Sequence, residues 1–209
     1  MINQLAYVLA SVLRLMKLKQ YDEAAEEVQT SSKQLLGMDL RLLTTLSDTE
    51  FVRLLSLGDR FDVEKCVVIG ELLKILGDVR HEQGREEEGV RMRLTALSMF
   101  LELARQDAGT LPREYYDSVE SILMTLRPVE ITARLKGKLF GYYELLGRFD
   151  KAENMLFEII EEDDSFVEEG MKFYERLRTK SDEELEHGNL PRSEIEASVQ
   201  DLVRRRGNT

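Results

Sequence analysis

A histidine followed by a glutamate is how a zinc-peptidase helix begins, and the chain contains such a pair in the stretch HEQGR, starting at His81. Two ligands on one helix face would need a second histidine four positions on. That position is Arg85, which removes the metal reading. The other histidine, His187, follows the acidic run DEELE near a helix end, where a partly exposed imidazole needs no catalytic role. Nucleophilic chemistry has one thiol to draw on, Cys66, inside the apolar helical run EKCVVIGELL. A reactive cysteine requires a stabilised thiolate and access to solvent, so this setting predicts a buried structural thiol. A single cysteine also excludes an internal disulfide framework and fits a reducing compartment.

Carboxylates are the other chemical resource. The runs Glu86-Glu87-Glu88 and Glu161-Glu162-Asp163-Asp164 lack the glycine-interrupted oxygen spacing of a calcium loop. Glu86 to Glu88 fall in the first turn of a predicted helix, where the dipole favours negative charge. Paired carboxylates are too numerous in this chain to mark a glycosidase-like site. The pieces GYYELLG and GDVRHEQG carry no phosphate-cradling motif. No catalytic residue, cofactor site or metal site is therefore predicted, and the expectation is a non-enzymatic protein.

Composition narrows the partners. The 209 residues are 43% hydrophobic and 33% charged, with a formal charge of −11, three prolines and no tryptophan. This describes a globular chain with long solvated helical faces, and its sign disfavours nucleic acid, since phosphate binding needs concentrated Lys and Arg. The one basic cluster, Arg204-Arg205-Arg206, sits in the last turn of a predicted helix, where it complements the dipole. The N-terminal stretch MINQLAYVLASVLRLMKLK has no positive residue before its apolar run and no cleavage site. Its apolar segment, Leu5 to Met16, is interrupted by Ser11 and Arg14 and is too short to span a bilayer. A cytoplasmic protein with no membrane partner is expected.

The elements that would position any site read as helices throughout. Apolar residues recur at helical spacing at Phe149, Ala152, Met155, Leu156, Ile159 and Ile160, and again at Val90, Leu94, Leu97, Leu101 and Ala104. Three Ser-x-x-Glu boxes, beginning at Ser47, Ser165 and Ser181, mark helix starts, as do Pro112, Pro128 and Pro191. The predicted helices are roughly 2–18, 21–36, 48–56, 62–83, 85–106, 112–126, 129–146, 148–162, 166–179 and 191–206, with a turn at 182–186. Short connections make neighbours antiparallel. The segment around Asp107 to Pro112 is read as a loop within one structural unit.

Three places share a turn and a following helix: LKQYDEAAEEV, EQGREEEGVRM and LLGRFDKAENM. Aligned, they put Ala24, Gly89 and Ala152 at one position, at intervals of 65 and 63 residues. That is about twice a 34-residue helix-hairpin period. The pattern resembles the tetratricopeptide repeat, best in the middle copy, with Leu73 at the Trp position, Leu76-Gly77 at the Leu-Gly pair and Gly84 at the turn. The last copy keeps Leu139, Tyr143 and Gly147 but has Lys136 and Phe140 at the Trp and Gly positions; the first has Ser11-Val12 and no turn glycine. The resemblance implies an all-α, right-handed array of antiparallel helix hairpins over 1–163, with a helical extension over 164–209 packing on it. A wider resemblance, carried by YDEAAEEVQTSSKQLLGMDLRLLTTLS, GREEEGVRMRLTALSMFLEL and above all FYERLRTKSDEELEHGNLPRSEIE, is to an uncharacterised family of small acidic helical bacterial proteins. It transfers no functional residues.

Two surfaces could bind. The array resemblance implies an inner surface lined by Glu71, Lys74, Asp78 and His81 in the middle copy and by Arg134, Lys138, Gly141 and Glu144 in the last. Such a mixed-charge lining suits a peptide or helix better than an apolar cofactor. The first helix is apolar on more than one face, so Leu5, Leu9, Leu13 and Met16 either pack inside the chain or form a homodimer contact. The expected function is a scaffold or adaptor that binds a protein or peptide. A helical enzyme or small-ligand regulator whose site sequence does not reveal, and a self-association module, stand as alternatives.

Overall fold

Helix α5 (Val63–Glu82) is apolar almost all round, and it organises the first of two compact groups of residues. The computed structural model describes residues 1–57, 60–106, 113–126 and 131–207, in units spanning 1–130 and 131–209. The first unit contains α1 (Ile2–Lys17), α2 (Tyr21–Leu36), α3 (Leu40–Leu43), α4 (Asp48–Leu55), α5, α6 (Glu86–Gln106) and α7 (Arg113–Leu126). A two-residue antiparallel ladder, Ser56–Leu57 against Arg60–Phe61, leads into α5. The second unit contains α8 (Ala133–Leu145), α9 (Phe149–Glu162), a 3-10 turn (Asp164–Phe166), α10 (Val167–Arg178), α11 (Asp182–His187) and α12 (Arg192–Gly207). Among the described residues the chain is otherwise all-helical.

In the first unit α5 packs against α1, α2, α3, α4 and α6, while α7 packs on α6. A helix hydrophobic on every side must be covered on every side. Accordingly Leu72, Leu73 and Leu76 are fully buried, with Leu97 and Leu103 from α6 and Val28 from α2 beside them in the core. Each such side chain contributes roughly 1.5–3 kcal/mol relative to exposure. The α5–α6 hairpin closes tightly where Gly77 meets Gly89: a methyl group on Gly89 would lie 2.8 Å from the Gly77 carbonyl oxygen. Helix α1, by contrast, buries only Leu5 and Val12 fully. The all-round apolar first helix is therefore an edge element, and α5 takes the central position.

The turns α1–α2, α5–α6 and α8–α9 share one backbone solution. Lys19, Gly84 and Gly147 each adopt positive φ, at 59°, 73° and 67°. The next N–H bonds back across the helix end in each: Gln20 to Leu15 O, Arg85 to Arg80 O and Arg148 to Tyr143 O, all 2.9 Å. This is the 6→1 bond of a Schellman end, which satisfies a carbonyl the helix would leave open. The first turn achieves it without glycine, Lys19 taking the left-handed conformation. Asn189 (φ 54°) does the same between α11 and α12, with Leu190 N–H on Leu185 O at 3.0 Å.

Helix starts follow the side-chain caps. Ser47–Glu50 and Ser181–Glu184 form reciprocal capping boxes, and Asp62 accepts from Lys65 N–H to open α5. The box expected at Ser165 does not form. Asp163 instead accepts from Ser165 N–H at 2.9 Å and tightens 164–166 into the 3-10 turn. Pro191 stands one position before α12, its carbonyl accepting from Glu194 and Ile195. Pro112, Pro128 and the 107–112 loop lie outside the described residues.

In the second unit the α8–α9 hairpin is joined by α10, which also packs on α12. Phe140 of α8 meets Phe173 of α10 edge-on at 5.2 Å, and the buried Tyr174 donates to Glu153 of α9 at 2.5 Å. Residues 131–163, expected to belong with the array, thus share a unit with the 164–209 extension.

Candidate functional site

The second unit carries an open cleft of about 1020 Å³, built from three chain segments. The end of α8 and its turn supply Glu144, Leu145, Leu146 and Arg148; the end of α10 supplies Arg176 and Leu177; Lys180 and α11 supply the remaining wall, with Glu184 and His187.

Each wall is a set of paired charges. Arg176 lays its guanidinium on Glu144 in a two-point fork, Nε to Oε1 at 2.6 Å and Nη2 to Oε2 at 2.9 Å, and also reaches Glu169. The hydrogen bond from Arg176 to Glu144 raises the guanidinium pKa further, so the guanidinium stays charged at any physiological pH. Across the cleft, Lys180 Nζ lies 3.1 Å from Glu184 Oε1. The other oxygen of Glu184 accepts from Ser181 N–H at 2.9 Å. That backbone bond, with the Lys180 and Ser181 contacts, holds the Glu184 carboxyl below the usual range. His187 Nδ1 stands 2.8 Å from the Glu183 carbonyl. A carbonyl only accepts, so Nδ1 carries hydrogen and a neutral ring keeps its lone pair on Nε2. The exposed Leu145 and the half-buried Leu146 add apolar surface, over a floor that includes the buried Leu177.

One segment holds this geometry in place. The Gly188 carbonyl accepts from Asp150 N–H at 3.0 Å, closing one of the open amides at the start of α9. Gly188 packs against the Phe149 ring and the Gly147 carbonyl. Arg192 then ties the start of α12 back, donating to Asp182 at 2.7 Å and to the Lys180 carbonyl at 2.9 Å. The Gly-Asn-Leu-Pro-Arg piece, the most distinctive in the sequence, is thus a structural clamp beneath the cleft.

The structure brings only part of the expected lining together. Glu144 and Gly141 border the cleft; Arg134 and Lys138 do not. In the first unit, Glu71 and Lys74 turn toward α7, where Ser118 Oγ donates to Glu71 at 2.5 Å and lies 3.5 Å from Lys74 Nζ. Asp78 pairs with Arg93 of α6 at 3.0 Å, and His81 Nδ1 contacts Glu86 of α6. Those four residues form helix-to-helix seams within the unit. The proposed face of α1 also divides: Leu5 is buried, Leu9 and Met16 are half-buried and Leu13 is exposed. Cys66 is fully buried, and that burial pushes its thiol pKa up, away from thiolate chemistry.

Arg148, Arg176 and Lys180 were not singled out by sequence reasoning, and His187 was read only as a partly exposed imidazole with no catalytic role. Arg176 sits in the distinctive Phe-Tyr-Glu-Arg-Leu piece, but its partner Glu144 is far away in the chain, and no local pattern couples them. Among the described residues, no three His, Cys, Asp or Glu side chains are placed to hold a metal ion, and no helix is long and apolar enough to cross a membrane.

Residues 1–207 match the family of unknown function DUF6483, and the chain belongs to that family. No curated protein and no solved structure matches it.

Proposed function

We propose that this member of DUF6483 is a non-catalytic scaffold that docks a peptide segment of a protein partner in the cleft between the ends of α8, α10 and α11. The observation that carries the reading is the cleft itself: large, open, edged by fixed pairs of opposite charge and supplied with apolar side chains. Pockets that drive catalysis or hold small ligands are more enclosed and converge a few unpaired polar groups on one point. Here Arg176 and Glu144, and Lys180 and Glu184, already neutralise one another, so a bound segment gains from apolar contact at Leu145 and from hydrogen bonding at the rim. We read the architecture as a right-handed, tetratricopeptide-like array of helix hairpins. The recurring left-handed turn residue, followed five positions later by Ala24, Gly89 or Ala152, supports that reading. The single buried Cys66 fits a cytoplasmic setting.

The test is capture from native lysate with the wild-type chain and with Leu145→Asp and Lys180→Glu variants. Both side chains are exposed, so folding is expected to survive, as checked by thermal melting. A protein retained by the wild type and lost at least about tenfold in the variants supports the reading. Capture unaffected by either substitution overturns the docking site. Retention of no protein, together with stabilisation by a metabolite in a thermal screen, favours the small-ligand regulator instead.

A further inference from the structure

We infer that the segment docking in the cleft is basic: a lysine or arginine beside an apolar residue, its cation seated by Glu183 and by the C-terminal ends of α8 and α10. The inference rests on the docking reading above and adds the chemistry of the occupant. The charged lining sets Arg148, Arg176 and Lys180 against Glu144, Glu183 and Glu184. Pairing within it is uneven. Arg176 is shared between two carboxylates, Glu144 at 2.6 Å and Glu169 at 3.3 Å. Lys180 is held by Glu184 at 3.1 Å, and Arg148 is itself engaged. The exposed Glu183 carboxylate has no hydrogen-bond or ion-pair partner among the described residues.

The helix ends act in the same direction. Leu145 and Leu146 bring the end of α8 to the wall, and Leu177 and Thr179 bring the end of α10. A helix C-terminus carries partial negative charge and favours a cation. Helix α8 has no basic residue in its last turn. Helix α10 has two, but Arg176 lies on the carboxylates above and Arg178 is drawn to Glu196 at 2.7 Å. Hydrogen bonding agrees as well. Arg176 already donates from Nε, Nη1 and Nη2, whereas the positions left open are acceptors: the Glu183 carboxylate and Nε2 of a neutral His187. A segment that fits must therefore bring N–H donors and positive charge, with an apolar neighbour for Leu145, 44% exposed. An acidic segment would meet Glu183 and two negative helix ends, and would have to break the Arg176 or Lys180 pairs to find a cation.

Selection of a random phage-displayed peptide library against the full wild-type chain tests this. Retained peptides should be enriched in Lys or Arg beside an apolar residue. One of them, synthesised and labelled, should bind Glu183→Lys at least about fivefold more weakly by fluorescence anisotropy, with Glu183→Gln between the two, and should loosen as salt is raised. Glu161→Lys makes the same change in net charge about 18 Å along α9 from Phe149, and should leave binding unchanged. Thermal melting checks that each variant folds. Binding indifferent to Glu183→Lys overturns the inference, and so does equal weakening by Glu161→Lys, which would assign the preference to the acidity of the whole chain. Retained peptides that are acidic or uncharged, and that are lost in Leu145→Asp, overturn the basic occupant but keep the docking cleft. Retention of no peptide, or retention indifferent to Leu145→Asp, overturns both.

Discussion

A methyl group has no place at Gly188. It would lie 2.7 Å from the Gly147 carbonyl oxygen and collide with the Phe149 ring, neither of which can withdraw without opening the α8–α9 turn. Gly188→Ala should lower the unfolding free energy by about 1–3 kcal/mol, seen as a lower denaturant midpoint at unchanged slope. Gly89→Ala should act similarly, because its methyl would meet the Gly77 carbonyl rather than a yielding side-chain tip. Gly141 provides the contrast. It lies inside α8, and a methyl group there would find nothing within 4 Å. Gly141→Ala should therefore stabilise, by about 0.5–1 kcal/mol, through helix propensity alone. The aligned turns put Gly89 at one position with Ala24 and Ala152, small residues in all three copies. No such signal marks Gly188, whose neighbour in space is the turn before α9.

At the scale of elements, most helices were legible to within a residue or two because their signals are local, though the one expected at 129–146 starts only at Ala133, capped by Thr132. The apolar period of α9 and the boxes at Ser47 and Ser181 each act within one or two turns. The short α3 and the two-residue ladder escaped notice because neither is long enough to show a period. At Ser165 the Ser-x-x-Glu pattern lost to Asp163, a nearer acceptor that captured the Ser165 amide first. The two boxes that do form predict an acid response. Glu50 and Glu184 have folded-state pKa values lowered by their bonds to Ser47 and Ser181. A lowered folded value means that the unfolded chain binds more protons as pH falls. Their contribution is present above the ordinary glutamate range and is lost as pH drops through the depressed folded values. Ser181→Ala should remove about 1 kcal/mol at neutral pH. It should also flatten the decline in stability between roughly pH 5 and 3, measured by chemical denaturation at each pH.

For the whole molecule, the division into two compact units has a direct thermodynamic reading. The second unit owns a core that includes Leu139, Phe149, Leu156, Phe173, Tyr174, Leu185, Ile195 and Leu202, assembled from five helices. A chain limited to residues 131–209 should unfold cooperatively on heating, with calorimetric and van't Hoff enthalpies in agreement. A fragment that ends before Gly188 should not. This division was the least legible feature of the sequence. The repeat pattern continues, with departures at Lys136 and Phe140, from α5 and α6 into α8 and α9, so local similarity grouped helices by kind. Packing groups them by neighbour, through contacts such as Phe140 on Phe173 and Glu144 on Arg176 that join distant parts of the chain. The candidate site shares that origin: Glu144 alone among its charged walls was anticipated, because the other walls are assembled by α10 and α11.

The bond between the Gly188 carbonyl and the Asp150 amide also sets an order of events during synthesis. Helices α8 and α9 leave the ribosome before residue 188 exists outside it, so the start of α9 emerges with that amide answered only by water and the face of Phe149 uncovered. The second unit therefore completes late, when the clamp arrives. Nascent chains arrested short of Gly188 should be cut by protease near the α8–α9 turn, whereas chains arrested well beyond α12 should resist at the same place.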